Sequence, residues 1–255
     1  MATDYRKEYA NDFRILNERY NGVENYIQSM VNGDVRSLIV NGPPGVGKTH
    51  SVKTYLDKYI GSENYKLMNG HCTLLSLYSK LYDFRDKGKV VVLDDVDSIF
   101  SKVEGLNILK AAMDTTAQRE IHWESPSHML TTMGVPKSFE YNGSVILISN
   151  IGFGGGSNKL VAHLAALKDR SYCSHIAESG DDSLFIQVCF MVLERGLFTS
   201  LGVPEEHQKM LLEYIDENKK RLNTVSLRTV VKLSNIFKIN PKDWRTMANQ
   251  GMLKV

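Results

Sequence analysis

Residues 42–49 read Gly42-Pro43-Pro44-Gly45-Val46-Gly47-Lys48-Thr49 and fit G-x-x-x-x-G-K-S/T at every fixed position. Glycines at 45 and 47 let the backbone turn tightly and aim its N–H groups inward, where a ring of them holds phosphate oxygens at the start of a helix. Lys48 reaches the β- and γ-phosphates, and the Thr49 hydroxyl is a ligand for Mg²⁺. The binding segment is taken through His50. A chance glycine-rich turn is the competing explanation, and the flanks argue against it: residues 37–40 read as a short buried strand. Residues 50–60 have helical spacing, with Val52, Tyr55 and Leu56 on one face.

Val90-Val91-Val92-Leu93-Asp94-Asp95 is the second signal. A buried strand ending in acid places a carboxylate at a sheet edge. Asp94 is expected to hold Mg²⁺ opposite Thr49. Asp95 is placed to orient or deprotonate an attacking water. Asp97 competes for that task, but a cap for the following helix is its better reading.

These groups need a scaffold. Residues 5–31 read as two helices broken at Tyr20-Asn21-Gly22. Strands are expected at 37–41, 65–69, 89–93, 144–149 and 170–176. Helices are expected after the glycine loop and over 74–84, 106–115 and 159–167, with a flexible glycine loop at 152–157. Residues 116–142 read as loop or hairpin. Alternating strands and helices predict a parallel sheet covered on both faces, with ligands at the carboxyl ends of the strands. Past residue 178 the pattern is helical, over 183–195, 204–220, 226–237 and 241–249. The expected organisation is a helical segment (1–34), an α/β nucleotide-binding domain (35–178) and a small all-helical lid (179–255).

The bulk properties narrow the class. A chain of 255 residues buries a full core. A net charge of +2 gives no strong overall footprint for nucleic acid, although a local patch can hide in a balanced total. Cys72, Cys173 and Cys189 are too few and too far apart for a disulfide framework or metal site, and point to a reducing compartment. The charged start of the chain is no signal peptide. The most apolar run, 184–193, is too short to span a bilayer. A soluble, cytoplasmic protein is expected.

Taken in order, G-P-P-G-V-G-K-T, V-V-V-L-D-D, I-L-I-S-N, a helix ending A-L-K-D-R and a helical C-terminal third resemble an AAA+ ATPase over residues 35–235. That resemblance implies Mg²⁺-dependent ATP hydrolysis, with ATP and Mg²⁺ as cofactors. It implies head-to-tail assembly into a ring or helical oligomer, a hexamer being expected. By position, Asn150 matches the first sensor of the family, Arg170 the arginine finger that reaches a neighbouring subunit, and Arg228 the second sensor. Each has a plainer alternative: a strand-ending turn residue for Asn150, an exposed arginine for Arg170, a surface charge for Arg228. Residues 20–23 would border the adenine.

The chain departs from the family where many members carry Glu and it carries Asp95, one methylene shorter, so different water positioning and slow turnover are expected. Paired aspartates there also resemble replication initiators and helicase loaders. The work performed is expected to be remodelling of a protein or nucleoprotein complex. DNA-directed replication accessory or helicase-loader activity, with single-stranded DNA as partner, and an ATP-binding switch or scaffold are the alternatives. The compact plan resembles minimal bacteriophage-encoded modules, which would place the protein in host cytoplasm. In a ring, residues 71–74 and 116–142 would face the pore. Trp123 there either stacks on a base or packs within a hairpin. A kinase with the same phosphate loop is disfavoured by the helical C-terminal third.

Overall fold

The computed structural model describes residues 4–150 and 158–254, apart from the side chains of residues 97 and 158–161. The glycine loop expected at 152–157 lies outside them, as does the side chain of Asp97. In chain order the elements are α1 (Tyr5–Glu8), α2 (Ala10–Met30), β1 (Ser37–Asn41), α3 (Lys48–Tyr59), β2 (Tyr65–Asn69), α4 (Leu74–Asp83) and β3 (Val90–Asp94). There follow α5 (Asp97–Phe100), α6 (Val103–Ala112), β4 (Glu120–His122), α7 (His128–Thr132), β5 (Ser138–Glu140), β6 (Ser144–Ser149), α8 (Asn158–Asp169) and β7 (Tyr172–His175). The helices α9 (Asp181–Leu193), α10 (Leu197–Ser200), α11 (Glu205–Asn218), α12 (Leu227–Ile239) and α13 (Trp244–Met252) complete the chain.

The chain divides into two compact units, Met1–Arg19 with Gly42–Gly47 and Ile176–Val255, and Tyr20–Asn41 with Lys48–His175. Residues 1–34 therefore do not stand alone, and the glycine loop groups with the helical residues.

In the α/β unit, five parallel strands are ordered β2-β3-β6-β1-β7. The apolar runs explain the centre of this sheet. β1, β3 and β6 are buried along nearly their whole length, as a strand covered on both faces must be. Ile39, Val91, Leu93, Val145 and Leu147 join α4, α6 and α8 in one core cluster. Alternation sends Leu38, Val40, Val92, Ile146 and Ile148 to the other face. The register Val92↔Ile146 with Leu38↔Ile146 aligns the carboxyl ends of β1, β3 and β6.

Residues 116–142 form a β4–β5 antiparallel hairpin carrying α7 at its far end. Its base is tied by Arg119, which is 4% exposed. The guanidinium donates to the carbonyls of Ala112 at 2.6 Å and Gly143 at 3.0 Å and lies over the Tyr141 ring. Burial pushes its pKa down to about 10, so it remains charged at neutral pH. Arg119→Met should lower unfolding free energy by about 2–4 kcal/mol, because two charge-assisted bonds are lost in a buried site. A urea melt showing less than about 0.5 kcal/mol of change would contradict this tie.

Trp123 of the hairpin packs against α4: its ring lies 5.3 Å from that of Tyr78, and its indole nitrogen is buried.

One expectation fails outright. The helix is interrupted at Tyr9, and α2 runs unbroken through residues 20–22. Phe13, Leu16, Tyr20, Val23, Ile27 and Met30 continue one buried stripe at helical spacing. Gly22 costs about 1 kcal/mol of propensity. Burying Tyr20 and Val23 outweighs that, each apolar side chain contributing about 1.5–3 kcal/mol.

In the helical unit, α9 buries Phe185, Val188, Cys189 and Phe190, and α11 buries Leu211, Leu212, Tyr214 and Ile215. The Tyr5 ring packs edge-on against Phe185, and its hydroxyl donates to Asp216 at 2.9 Å. Pro204 is the residue before α11, not its first turn. Burial pushes the Cys72 and Cys189 thiols up, away from reactive thiolates.

Candidate functional site

The sheet order decides which side chains meet. β6 lies between β1 and β3, so the residues ending β3 and following β6 are neighbours across one ladder. The backbone N–H of Asp95 extends that ladder by donating to the Ile148 carbonyl at 3.2 Å. Asp94, Asp95 and Asn150 thus converge at the carboxyl edge, with Lys48 and Thr49 opening α3 beside them.

A continuous polar chain results. Lys48, 6% exposed, donates through Nζ to Asn150 Oδ1 at 2.6 Å. The Asn150 amide nitrogen donates to both Asp95 carboxylate oxygens at 2.7 Å. Alongside, the Thr49 hydroxyl donates to Asp94 Oδ2 at 2.7 Å, and Asp94 is buried while Asp95 is exposed. A hydroxyl and a carboxylate at this separation are hard oxygen donors suited to Mg²⁺, so the residues fit that ion. Among the described residues no group of three His, Cys, Asp or Glu side chains is gathered for another metal.

Asp95 has φ of 51°, the left-handed region that non-glycine residues rarely occupy. Aspartate tolerates it better than most, since its short polar side chain bonds locally. Such outliers gather at functional sites, where surrounding contacts hold them. Nothing in the sequence signalled this angle; it is visible only once β3 ends and the Asn150 amide is seen gripping the carboxylate.

The glycine loop and Arg228 belong to the helical unit. Gly45 and Gly47 have φ of 76° and 92°. A Cβ on Gly45 would lie 2.7 Å from the Ser226 side chain, so only glycine fits there. The Leu227 N–H donates to the Gly45 carbonyl at 2.8 Å, and Gln187 donates to the Val46 carbonyl at 3.4 Å. The loop therefore rests on the first turn of α12, where Arg228 is the next residue and is exposed. Gly42, Pro43 and Val46 are buried, while Pro44 and His50 are exposed.

Arg170 is not brought to the Lys48–Asn150–Asp95 chain. It precedes β7 at the amino edge of the sheet, where Ser37 donates to its carbonyl. A five-residue strand separates the two edges, roughly 16 Å. Its guanidinium donates to the Ala166 carbonyl at 2.9 Å and pairs with Asp114 at 3.4 Å. Tyr20 and Val23, expected at the adenine, are each 1% exposed.

The sheet order, the acid-ended β3 and the glycine loop before α3 define an α/β fold built on a five-stranded parallel sheet, with a helical C-terminal part. No protein-family model matches the chain. It is 32% identical over 248 residues to the "Uncharacterized 36.7 kDa protein in nrdC-mobD intergenic region" of Enterobacteria phage T4, a match covering 95% of this chain and 76% of that protein. The chain belongs to the family of that phage protein. Among solved structures it is similar to a DNA replication initiation factor, at TM-score 0.46 and 14% identity. That match covers 96% of this chain and 65% of the other, so the chain spans less than two thirds of its length. It is also similar to domain III of the Thermotoga maritima replication initiation protein DnaA, at TM-score 0.41 and 16% identity over 92% of this chain and 86% of that one. Among the described residues no helix is long and apolar enough to cross a membrane.

Proposed function

We propose that this protein is a Mg²⁺-dependent ATPase that self-associates head to tail and remodels a protein or nucleoprotein complex, in host cytoplasm if it is phage-encoded like its relative. The observation that carries the reading is the polar chain Lys48–Asn150–Asp95 beside the Thr49–Asp94 pair. Backbone N–H groups of Gly42–Gly47 and the Lys48 ammonium hold the phosphates. Thr49 and Asp94 would hold the metal ion, which would neutralise charge developing on the phosphate oxygens. Asp95 takes the proton of a water whose oxygen attacks the γ-phosphorus in line, as the bond to the β-phosphate oxygen breaks. Asn150 aims that carboxylate and, when Lys48 turns to phosphate, offers its amide to the water or the γ-phosphate. Positioning and charge neutralisation supply most of the rate. Arg228 reports nucleotide state from the helical unit.

Asp95→Asn should retain ATP binding and lower steady-state ATP hydrolysis at least about 10²-fold, the usual scale for a general base. Full turnover in this variant would remove Asp95 from the role. A second reading, an ATP-binding switch, draws on the Asn150 amide occupying both Asp95 oxygens. It is the better one if the wild-type chain binds ATP tightly and scarcely hydrolyses it at any protein concentration.

A further inference from the structure

Residues 220–254 hold eight Lys or Arg and one acid, Asp243, although the whole chain has an excess of only two positive charges. The remainder of the chain is therefore net acidic, and the positive charge is concentrated in one stretch of the helical unit. Two segments of that stretch meet. Leu222 and Leu253 form an antiparallel bridge, and the Lys254 N–H donates to the Arg221 carbonyl at 2.7 Å. The Lys254 ammonium reaches the Lys220 carbonyl at 3.4 Å. Lys220, Arg221 and Lys254 are thus held side by side, all exposed.

Neighbouring cations are neutralised and these are not. Lys219 pairs with Asp182 and Asp216, and Arg245 with Glu217. Among the described residues no carboxylate pairs with Lys220, Arg221 or Lys254. Lys232 and Lys238 on α12 are likewise exposed, and that helix carries no acid. The carbonyl end of α11 favours cations and accounts in part for Lys220 and for the Lys254 ammonium on the Lys220 carbonyl, but not for the α12 lysines. Three like charges fixed together repel one another unless a polyanion screens them.

We infer that the Lys220–Arg221–Lys254 cluster, with α12 extending it, is a docking surface for the phosphate backbone of a nucleic acid. A bilayer is the poorer match, because an interfacial surface needs an apolar face beside its charges. Among the described residues the exposed large apolar side chains of the C-terminal helices are Val231 and Ile239, both on α12, and two side chains do not make such a face. Binding to this surface requires no hydrolysis.

The test is fluorescence anisotropy of a labelled oligonucleotide, single-stranded and duplex, with the full chain and no ATP. Three phosphate contacts give a slope of log affinity on log salt of about −2 to −3, so raising salt from about 50 to 200 mM should weaken binding roughly 20–40-fold. Lys220→Glu/Arg221→Glu/Lys254→Glu should weaken binding more than about tenfold and flatten that slope. The milder Lys220→Gln/Arg221→Gln/Lys254→Gln should move both in the same direction, and covers the case in which charge reversal unfolds the unit. Lys66→Glu, an exposed lysine on β2, should change neither. Absence of binding to either oligonucleotide, binding that the glutamine set leaves intact, or capture by phosphatidylserine vesicles without nucleic-acid binding would each overturn the inference.

Discussion

Lys48→Ala is expected to bring ATP binding below detection while leaving the fold intact. The residue is buried at the start of α3, and its ammonium is held 2.6 Å from Asn150 Oδ1. The Asn150 oxygen is a neutral acceptor, and a triphosphate is a stronger partner for the same ammonium. Charge-assisted hydrogen bonds contribute about 1.5–3 kcal/mol each. Losing contacts to two phosphates then raises Kd by about 10²–10⁴-fold. Titration with a fluorescent ATP analogue reads the effect, and circular dichroism checks the fold. Binding within about threefold of wild type would mean that Lys48 serves only the Asn150 contact and that the phosphate loop assignment is wrong.

Arg170→Ala is expected to lower ATP turnover by about 10³–10⁵-fold with ATP affinity unchanged, the scale of an arginine supplied to a neighbouring active site. Its place at the amino edge of the sheet prevents it from serving the carboxyl-edge cluster of its own chain. Its present partners do not trap it. The Asp114 carboxyl is held below the usual range first by the Thr116 backbone N–H, with Arg170 a smaller contributor. A half-exposed ion pair of this kind contributes about 0–1 kcal/mol. A purely structural arginine would therefore lower stability slightly and leave turnover alone. Mixing Arg170→Ala with Lys48→Ala subunits separates the two roles, because each lacks what the other supplies. Recovery of activity in the mixture places Arg170 in trans. An inactive mixture whose subunits co-assemble by size-exclusion chromatography rules that assignment out.

The sheet was legible because its strands are short apolar runs with clear ends. Residues 37–41, 65–69 and 144–149 were bounded correctly from Gly70, the glycine loop and the polar residues that follow. Lys48, Thr49, Asp94 and Asp95 were singled out by motif and Asn150 by resemblance, and these five side chains come together at the carboxyl edge. What stayed hidden depended on tertiary packing. Gly22 looked like a break because local propensity ignores the buried stripe on either side of it. Arg119 lies in a segment read only as loop or hairpin, and only the fold reveals the two carbonyls it serves. The bridge between Leu222 and Leu253, far apart in sequence, is equally invisible to periodicity.

The left-handed backbone at Asp95 ties two properties that are usually varied separately. Many members of the resembled family carry Glu at this position, one methylene longer. Here the angle of the main chain at 51° already swings the carboxylate into the grip of Asn150. The contact joins a short side chain to a left-handed main chain, so residue type and local curvature act together at the end of β3.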